Sequence, residues 1–506
     1  MEPTPAILDY IKRTWIVLKR SHRDLAAAAV DPKFPPNARG RWPVYVAGDE
    51  ELSRVERQLR QAMEPSSFQK IDIRCLPSEG APVPEPGLLY LPKPYVVPGG
   101  RFNEMYGWDS YFIQMGLLRD GELELACDMA DNFLYEIRHY GKIVNGNRSY
   151  YTTRSHPPFL TQMLLAVYGH TQDRQWLADS VDAIEKYYRY WTSAPHVTPE
   201  TGLSRYFDLG EGPAPEVVSS EVDAKGCTDY ELVKKYFRTH PTADYEVSRY
   251  YDAANDGLTA VFYKGDRTMR ESGFDPSNRF GPFSAGIIDY NPVCLNSLLY
   301  LMETQTAEIL TILGRDNETA GWRKKAQDRA QAMNRLMWDE PQGMYFDFQF
   351  AQQRRRQYPF LTTFYPLWAG IASRDQAGRV AGNLGMFLKP GGLQTSTNQS
   401  GDQWDAPFGW APLQWIAVQA LRQYGYQAEA EDISTRFLSL VLREFEEHGA
   451  ISEKYDVVNG RADAGGILFG YRSNEAGFGW TNAVFTALLD GLPPAASQQL
   501  LNSHQP

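Results

Sequence analysis

The chain has 506 residues, 43% of them hydrophobic, and a formal net charge of −11. This length is ample for one large core, and the acidic balance argues against nucleic acid or an anionic membrane surface as a partner, because both are held by basic faces. Aromatic residues make up 13%, with 12 Trp and 30 Tyr, which fits a long aromatic-lined cleft as well as a large core.

Taken in chain order, Met1-Glu-Pro-Thr-Pro lacks a basic segment followed by an apolar one, and residues 14–18 are too short and too closely flanked by Lys and Arg for a leader. No stretch reads as a transmembrane span, so the expectation is a soluble, cytoplasmic protein. Residues 6–28 read as a helix, stopped by Asp31-Pro-Lys-Phe-Pro-Pro36, and Pro/Gly-rich chain then runs to about residue 97. Over 121–140, Leu123, Ala126, Cys127, Ala130, Phe133, Leu134 and Ile137 recur at steps of three and four, which gives one apolar helix face. Further helices are expected at 157–169, 173–192, 228–238, 291–314, 318–338, 376–387, 408–424, 427–447 and 479–491, and short strands around 343–350 and 451–458. No repeat of about 30 residues indicates a solenoid. Residues 493–506 are expected to fray as a C-terminal tail. Cys75, Cys127, Cys227 and Cys294 are scattered without metal-like spacing, so neither a disulfide framework nor a metal is expected. The sequence sets no oligomeric state.

Residues 98–111, Pro98-Gly-Gly-Arg-Phe-Asn-Glu-Met-Tyr-Gly-Trp-Asp-Ser-Tyr111, concentrate chemistry. Two glycines after a proline force a tight loop and let the backbone approach a ligand. Arg101, Glu104, Tyr106, Trp108, Asp109 and Tyr111 follow at close intervals. A core segment would not carry so many hydrogen-bonding groups, since each buried one must find a partner. A sugar site needs this mixture: flat apolar faces for ring C–H surfaces and charged side chains for hydroxyls. An ordinary loop before a helix also fits. The same composition recurs at Gln403-Trp-Asp-Ala-Pro-Phe-Gly-Trp-Ala-Pro412.

Together the two stretches closely resemble the two signature motifs of trehalases, a family of inverting α-glucosidases. The resemblance continues in Asn145–Tyr151, Arg154–Pro158, Glu271–Asp275, Glu453–Val457 and Gly477–Asn482, and covers roughly residues 20–490. Periodicity gives an all-α chain without a topology. The resemblance implies an (α/α)6 barrel whose long loops form the pocket. No composition break marks a second domain, so residues 1–492 are expected to be one catalytic domain with an N-terminal extension over about 1–97. The expected substrate is a short α-glucoside, trehalose by default, with water as second substrate and no cofactor.

Cleaving a glycosidic bond requires an acid for the leaving oxygen and a base for water, and two carboxyl groups supply both. Asp275 follows Gly273, which permits an unusual turn, and Phe274, an apolar wall that would raise a carboxyl pKa. By residue chemistry alone it could equally be a turn Asp before Pro276, and Glu453 could be a surface Glu paired with Lys454. The resemblance implies that Asp275 is the general acid and Glu453 the general base. It also implies that Arg101, Phe102, Trp108, Asp109, Asn145, Arg154 and Trp404 line the glucose subsite. Arg can grip vicinal hydroxyls, Asp109 can accept from a hydroxyl pair, and the tryptophans can stack on sugar faces. Gly273 lies in the acid motif, His156 stands where the family usually has Gln, and Glu216 aligns with a second-subsite carboxylate. Departures cluster on the leaving-group side. Ala214 replaces the family's Arg, Phe274 its Trp, and the glycine run Gly465–Tyr471 does not lead to the usual Glu. These changes give the expectation that trehalose is handled less well than by a typical trehalase, unless Arg472 or Asn474 replaces the lost contacts. The rivals are an α-glucosidase for another short α-glucoside, an inactive sugar-binding protein on the same barrel, and an isomerase, which would need a pair of catalytic histidines.

Overall fold

The computed structural model describes residues 5–78, 83–218, 226–240, 242, 245–463, 465–470 and 473–502. The chain opens with helix α1 (Ala6–Leu18), whose buried face carries Ile7, Ile11, Trp15 and Leu18. The stretch to residue 97, expected as irregular, contains a small parallel sheet. Strand β1 (Trp42–Val46) is central, and β2 (Ile71–Cys75) and β3 (Leu88–Leu89) lie on either side, with Trp42 opposite Ile71 and Val44 opposite Leu88. Helix α2 (Leu52–Ala62) crosses between β1 and β2. Val44, Tyr45 and Val46 are all buried, so this strand shows no apolar–polar alternation to read.

Six helices form a ring. In chain order these are α3 (Gly107–Arg119), α5 (Leu160–Thr171), α9 (Val293–Ile312), the single turn α11 (Tyr365–Trp368), α12 (Ala411–Gln423) and α14 (Gly479–Asp490). Each packs on the next, and α14 returns to α3 to close the circle. A second layer lies outside. There α4 (Leu123–Tyr140) covers α3 and α5, and α6 (Val181–Thr192) packs on α4 and α9. In the same layer α10 (Asp316–Leu336) runs along α9, α13 (Gln427–His448) covers α12 and α14, and α1 packs on α14. This is the (α/α)6 architecture. The two layers differ chemically as their positions require. Helices α3 and α14 are buried along nearly their whole length, whereas α10 is mostly polar with one buried stripe through Trp322, Ala326, Arg329 and Met333. The seam between α3 and α14 is close because it has little to keep it apart. A Cβ on Gly116 would come within 2.9 Å of Ala483, and one on Gly479 within 2.8 Å of Ile113.

Two further helices, α7 (Asp229–Thr239) and α8 (Ala260–Glu271), stand over a second apolar cluster, separate from the main core, that includes Val217, Tyr230, Phe237, Phe262 and Phe283. The expected helix over 173–192 is two, Arg174–Asp179 and Val181–Thr192, and that over 6–28 ends at Leu18 before a short second helix, Leu25–Ala28. The expected frayed tail is corrected as far as residue 502. Pro494–Asn502 is helical and buries Leu500. Among the described residues no helix is long and apolar enough to cross a membrane.

Candidate active site

The first turns of α3 and α14, the residues just before α5 and the N-cap of α12 converge on one pocket. Its wall includes Trp108 and Asp109 at the start of α3, His156 before α5, Trp410 at the N-cap of α12, and Phe478 and Trp480 at the start of α14. Phe102, Asn145, Arg154, Glu216, Gly273, Asp275, Trp404 and Glu453 complete the set expected from the sequence. Arg101 is the exception. Its guanidinium donates to Ser473 Oγ at 2.9 Å, packs over Phe102, and lies 3.6 Å from Glu475, outside the pocket wall. Glu475 also accepts from the Arg101 backbone N–H, so Arg101 ties the 98–101 loop to the segment after the glycine run. Glu104 and Tyr111 from the same motif also serve the scaffold. Glu104 is buried 2.5 Å from Arg148 Nε, and Arg148 donates on to the carbonyls of Ala28, Ala29 and Val30. Tyr111 stacks on Phe159.

The acid loop is held from two sides. Gly273 has φ +76°, a left-handed conformation, and an added Cβ would lie 3.0 Å from the Trp108 ring. From the other side, Gln403 Nε2 donates to the Asp275 carbonyl, and Trp404 N–H to the Pro276 carbonyl at 3.0 Å. The second motif continues into β4 (Phe408–Trp410), which pairs antiparallel with β5 (Lys454–Asp456), Trp410 opposite Lys454. Segment 403–410 therefore reaches from the Asp275 loop to the residue after Glu453. Around it lies an aromatic box. Trp404 stacks on Trp410 with centroids 3.9 Å apart, and Trp108 sits 5.8 Å from Trp404 and 5.6 Å from Trp480. Trp108 and Trp404 are each only 2% exposed, so most of their surface faces other rings rather than the pocket. Phe274, where the family has Trp, fits between Trp108 and Trp404.

The polar groups are unevenly charged. Burial, with a further contribution from Asp266, pushes Asp275 up to about 6, while Arg270 and Arg154 hold it down. Its side chain remains 21% exposed. Burial and the neighbouring charges of Glu453 and Asp275 push Asp109 up to about 8. A carboxyl shifted in this direction can donate to a sugar hydroxyl when it carries the proton, as well as accept. Burial also opposes charge on Glu216, but Arg154, 2.6 Å away, and Arg270 outweigh it and bring Glu216 down to about 2. Arg154 bonds Asn145 Oδ1 as well, and Glu216 Oε2 has no hydrogen-bond partner. Burial, aided by Arg154, lowers the His156 pKa well below its usual value. His156 Nδ1 accepts from Trp108 N–H at 3.2 Å, so the ring proton sits on Nε2. Glu453 is buried, with Lys454 Nζ 3.1 Å from Oε2, and its backbone is fixed by Glu475 O and Trp480 Nε1. Lys454 is itself 0% exposed. The Glu453–Lys454 pair read from sequence is present, and it is an interior pair.

Sequence reasoning does not find Arg270. It lies in the last turn of α8, pairs with Asp266 at 3.0 Å and stands 3.6 Å from Asp275 in the pocket wall. The only signal was its place five residues before Asp275, which reads as an ordinary i,i+4 partner of Asp266. Asn474 is engaged with the carbonyls of Lys454 and Ala462, and Arg472 lies outside the described residues. Trp410 and Trp480 also line the pocket unforeseen. Among the described residues the one cluster with metal-like convergence is Glu444, Glu447 and His448 on α13, mostly exposed and outside this wall.

A family model described as Trehalase matches residues 25–493. The cytosolic neutral trehalase of Emericella nidulans is 33% identical over an alignment covering 96% of this chain and 70% of that protein. The cytosolic neutral trehalase of Saccharomyces cerevisiae is 37% identical over 78% of this chain. The chain spans only 56% of that second relative's length. Among solved structures, neutral trehalase Nth1 from Saccharomyces cerevisiae superposes with a TM-score of 0.82 at 31% identity, covering 99% of this chain and 97% of the solved one. The chain belongs to the trehalase family.

Proposed function

We propose that this protein is an inverting glycoside hydrolase that releases glucose from a short α-glucoside, with trehalose as the first substrate. The observation that carries the reading is that Asp275 and Glu453 line one pocket together. Asp275, pushed up to about 6, holds a proton near neutral pH as a general acid must. Glu453, whose Oε2 lies 3.1 Å from Lys454 Nζ, is the second carboxyl group that the reaction requires. The glucose fits between the aromatic box and the Asn145, Arg154, His156 and Asp109 side chains. Water then attacks C1 on the Glu453 face as the C1–O bond breaks, Glu453 takes the water's proton, and Asp275 protonates the leaving oxygen. Glu216 and Arg270 are placed to hold the leaving sugar. The whole barrel acts as one catalytic unit over residues 1–492, and the names of the fungal relatives support a cytoplasmic location. An isomerase is disfavoured because His156 is the one histidine in the described wall.

The stereochemistry tests the mechanism. A single displacement on trehalose gives one β-glucose from the attacked carbon and one α-glucose from the leaving sugar, whose own anomeric carbon is untouched, so proton NMR in the first minutes, before mutarotation, should show equal amounts of the two anomers. Early α-glucose without β-glucose refutes the inverting assignment. The buried, apolar Ala214 position keeps a second substrate reading open, another short α-glucoside. Relative kcat/KM on trehalose, kojibiose, nigerose and maltose decides between the two.

A further inference from the structure

Two further cavities adjoin the pocket in series, each sharing wall residues with the one before it. Arg270, Asp275 and Gln403 line a second cavity whose far wall includes Phe283 and Phe469. These two phenylalanines in turn line a third. Measured as the space open to the centre of a water molecule, the three volumes are ≈ 80, ≈ 50 and ≈ 740 Å³ from the inside outward. The outer one falls within the range of about 300–1,000 Å³ typical of small-molecule sites. Glu453 lines only the innermost. The series of cavities therefore leads away on the side of the proposed acid. That is the side on which a leaving group must lie, because the acid protonates its oxygen.

The outer cavity has the chemistry of a carbohydrate site. Tyr236 on α7 meets Phe469 edge to face at 5.8 Å, and Phe469 meets Phe283 at 4.6 Å. Asn278, Asn398 and Ser400 also line the cavity. A second observation points to a ligand. Asp402 lines this cavity and is 3% exposed, yet its Oδ1 has no hydrogen-bond partner. A buried polar oxygen without a partner is uncommon, and a ligand hydroxyl could supply the missing donor. Burial and the nearby Asp405 raise the Asp402 pKa, which suits a wall that binds neutral hydroxyls rather than cations.

We propose that this cavity is a further sugar subsite, so that the protein accepts α-glucosides whose leaving group is a neutral oligosaccharide of two or more hexoses. The proposal rests on the hydrolase reading and extends it outward. The reaction is unchanged. Water adds to C1 of the innermost glucose, the C1–O bond to the chain breaks, Asp275 gives its proton to the leaving oxygen and Glu453 takes one from water.

The test compares trehalose with trehalose carrying one or two further α-1,4-linked glucoses on one ring. The expected result is a kcat/KM for the extended sugars within tenfold of trehalose or above it. The ratio of extended to plain substrate should fall about three- to tenfold in Tyr236→Ala, the worth of one aromatic contact, and further in Thr239→Trp, which fills the cavity. An extended sugar more than tenfold poorer than trehalose, or a ratio that neither variant moves, overturns the proposal. If no substrate releases glucose, the hydrolase reading is what fails. Calorimetry then decides the subsite: tighter binding of the extended sugar than of trehalose supports it, and equal or weaker binding overturns it.

Discussion

Arg270→Gln should move the alkaline limb of the pH–activity profile upward. The active form of a general acid is protonated, so activity falls as pH rises through its pKa. In the native protein Asp275 sits at about 6. Arg270 Nη1 lies 3.6 Å from its carboxylate, a separation worth about 4–5 kcal/mol at an effective dielectric constant of about 20. That corresponds to about three pK units. The usual effect of an adjacent arginine on an aspartate is about one to three units. The limb in kcat/KM on trehalose should therefore move from about pH 6 to about pH 7–9. The absolute rate at pH 5 should fall, because a donor to the leaving sugar is gone. Arg270→Lys, which keeps the charge, should leave the limb near its native place. If the limb of Arg270→Gln stays at about 6 while the protein remains folded, either Asp275 is not the acid or Arg270 does not govern it.

Asp275→Asn and Glu453→Gln should each lose about 10²–10⁴-fold in kcat with native circular dichroism, and a variant that keeps its rate removes that residue from the mechanism. Gly273→Ala should lower stability by about 1–3 kcal/mol, read as a drop in Tm, because the left-handed backbone and the Trp108 ring both reject a Cβ. Glu216 has a folded pKa of about 2, below its unfolded value of about 4.3. Its stabilisation is full above the unfolded value and is lost as pH falls through about 2. Denaturant titrations between pH 5 and 2 should thus fall less steeply for Glu216→Gln than for the native chain.

The outer helices were legible because one-sided burial writes a period of three to four into the sequence, as in Leu123–Tyr140. Helix Gly107–Arg119 was not. It is buried on nearly all sides, carries Trp108, Asp109 and Tyr111 in its first turns, and so reads as a functional loop. The parallel sheet escaped for a related reason, since Val44–Val46 are buried on both faces and Pro43 interrupts the strand pattern. In the pocket, motif residues such as Asp275, Glu453 and Trp404 could be found because their neighbours are unusual. Arg270 has ordinary neighbours, and only folding α8 against the acid loop reveals it. Arg101 is the opposite case: a conspicuous motif position whose side chain bonds Ser473.

Segment 403–410 has a mechanical consequence. One end hydrogen-bonds the backbone on either side of the Asp275–Pro276 linkage, and the other is zipped to the strand that follows Glu453. It works as a gauge block between the two carboxyl groups. Whether a glycosidase inverts or retains depends on whether that gap admits a water molecule. Here a short, doubly anchored length of backbone stiffened by stacked indoles joins the two carboxyl-bearing loops, and the same segment lends Trp404 and Trp410 to the pocket wall. Lengthening or shortening that spacer by one residue should therefore change the gauge without replacing either carboxyl group.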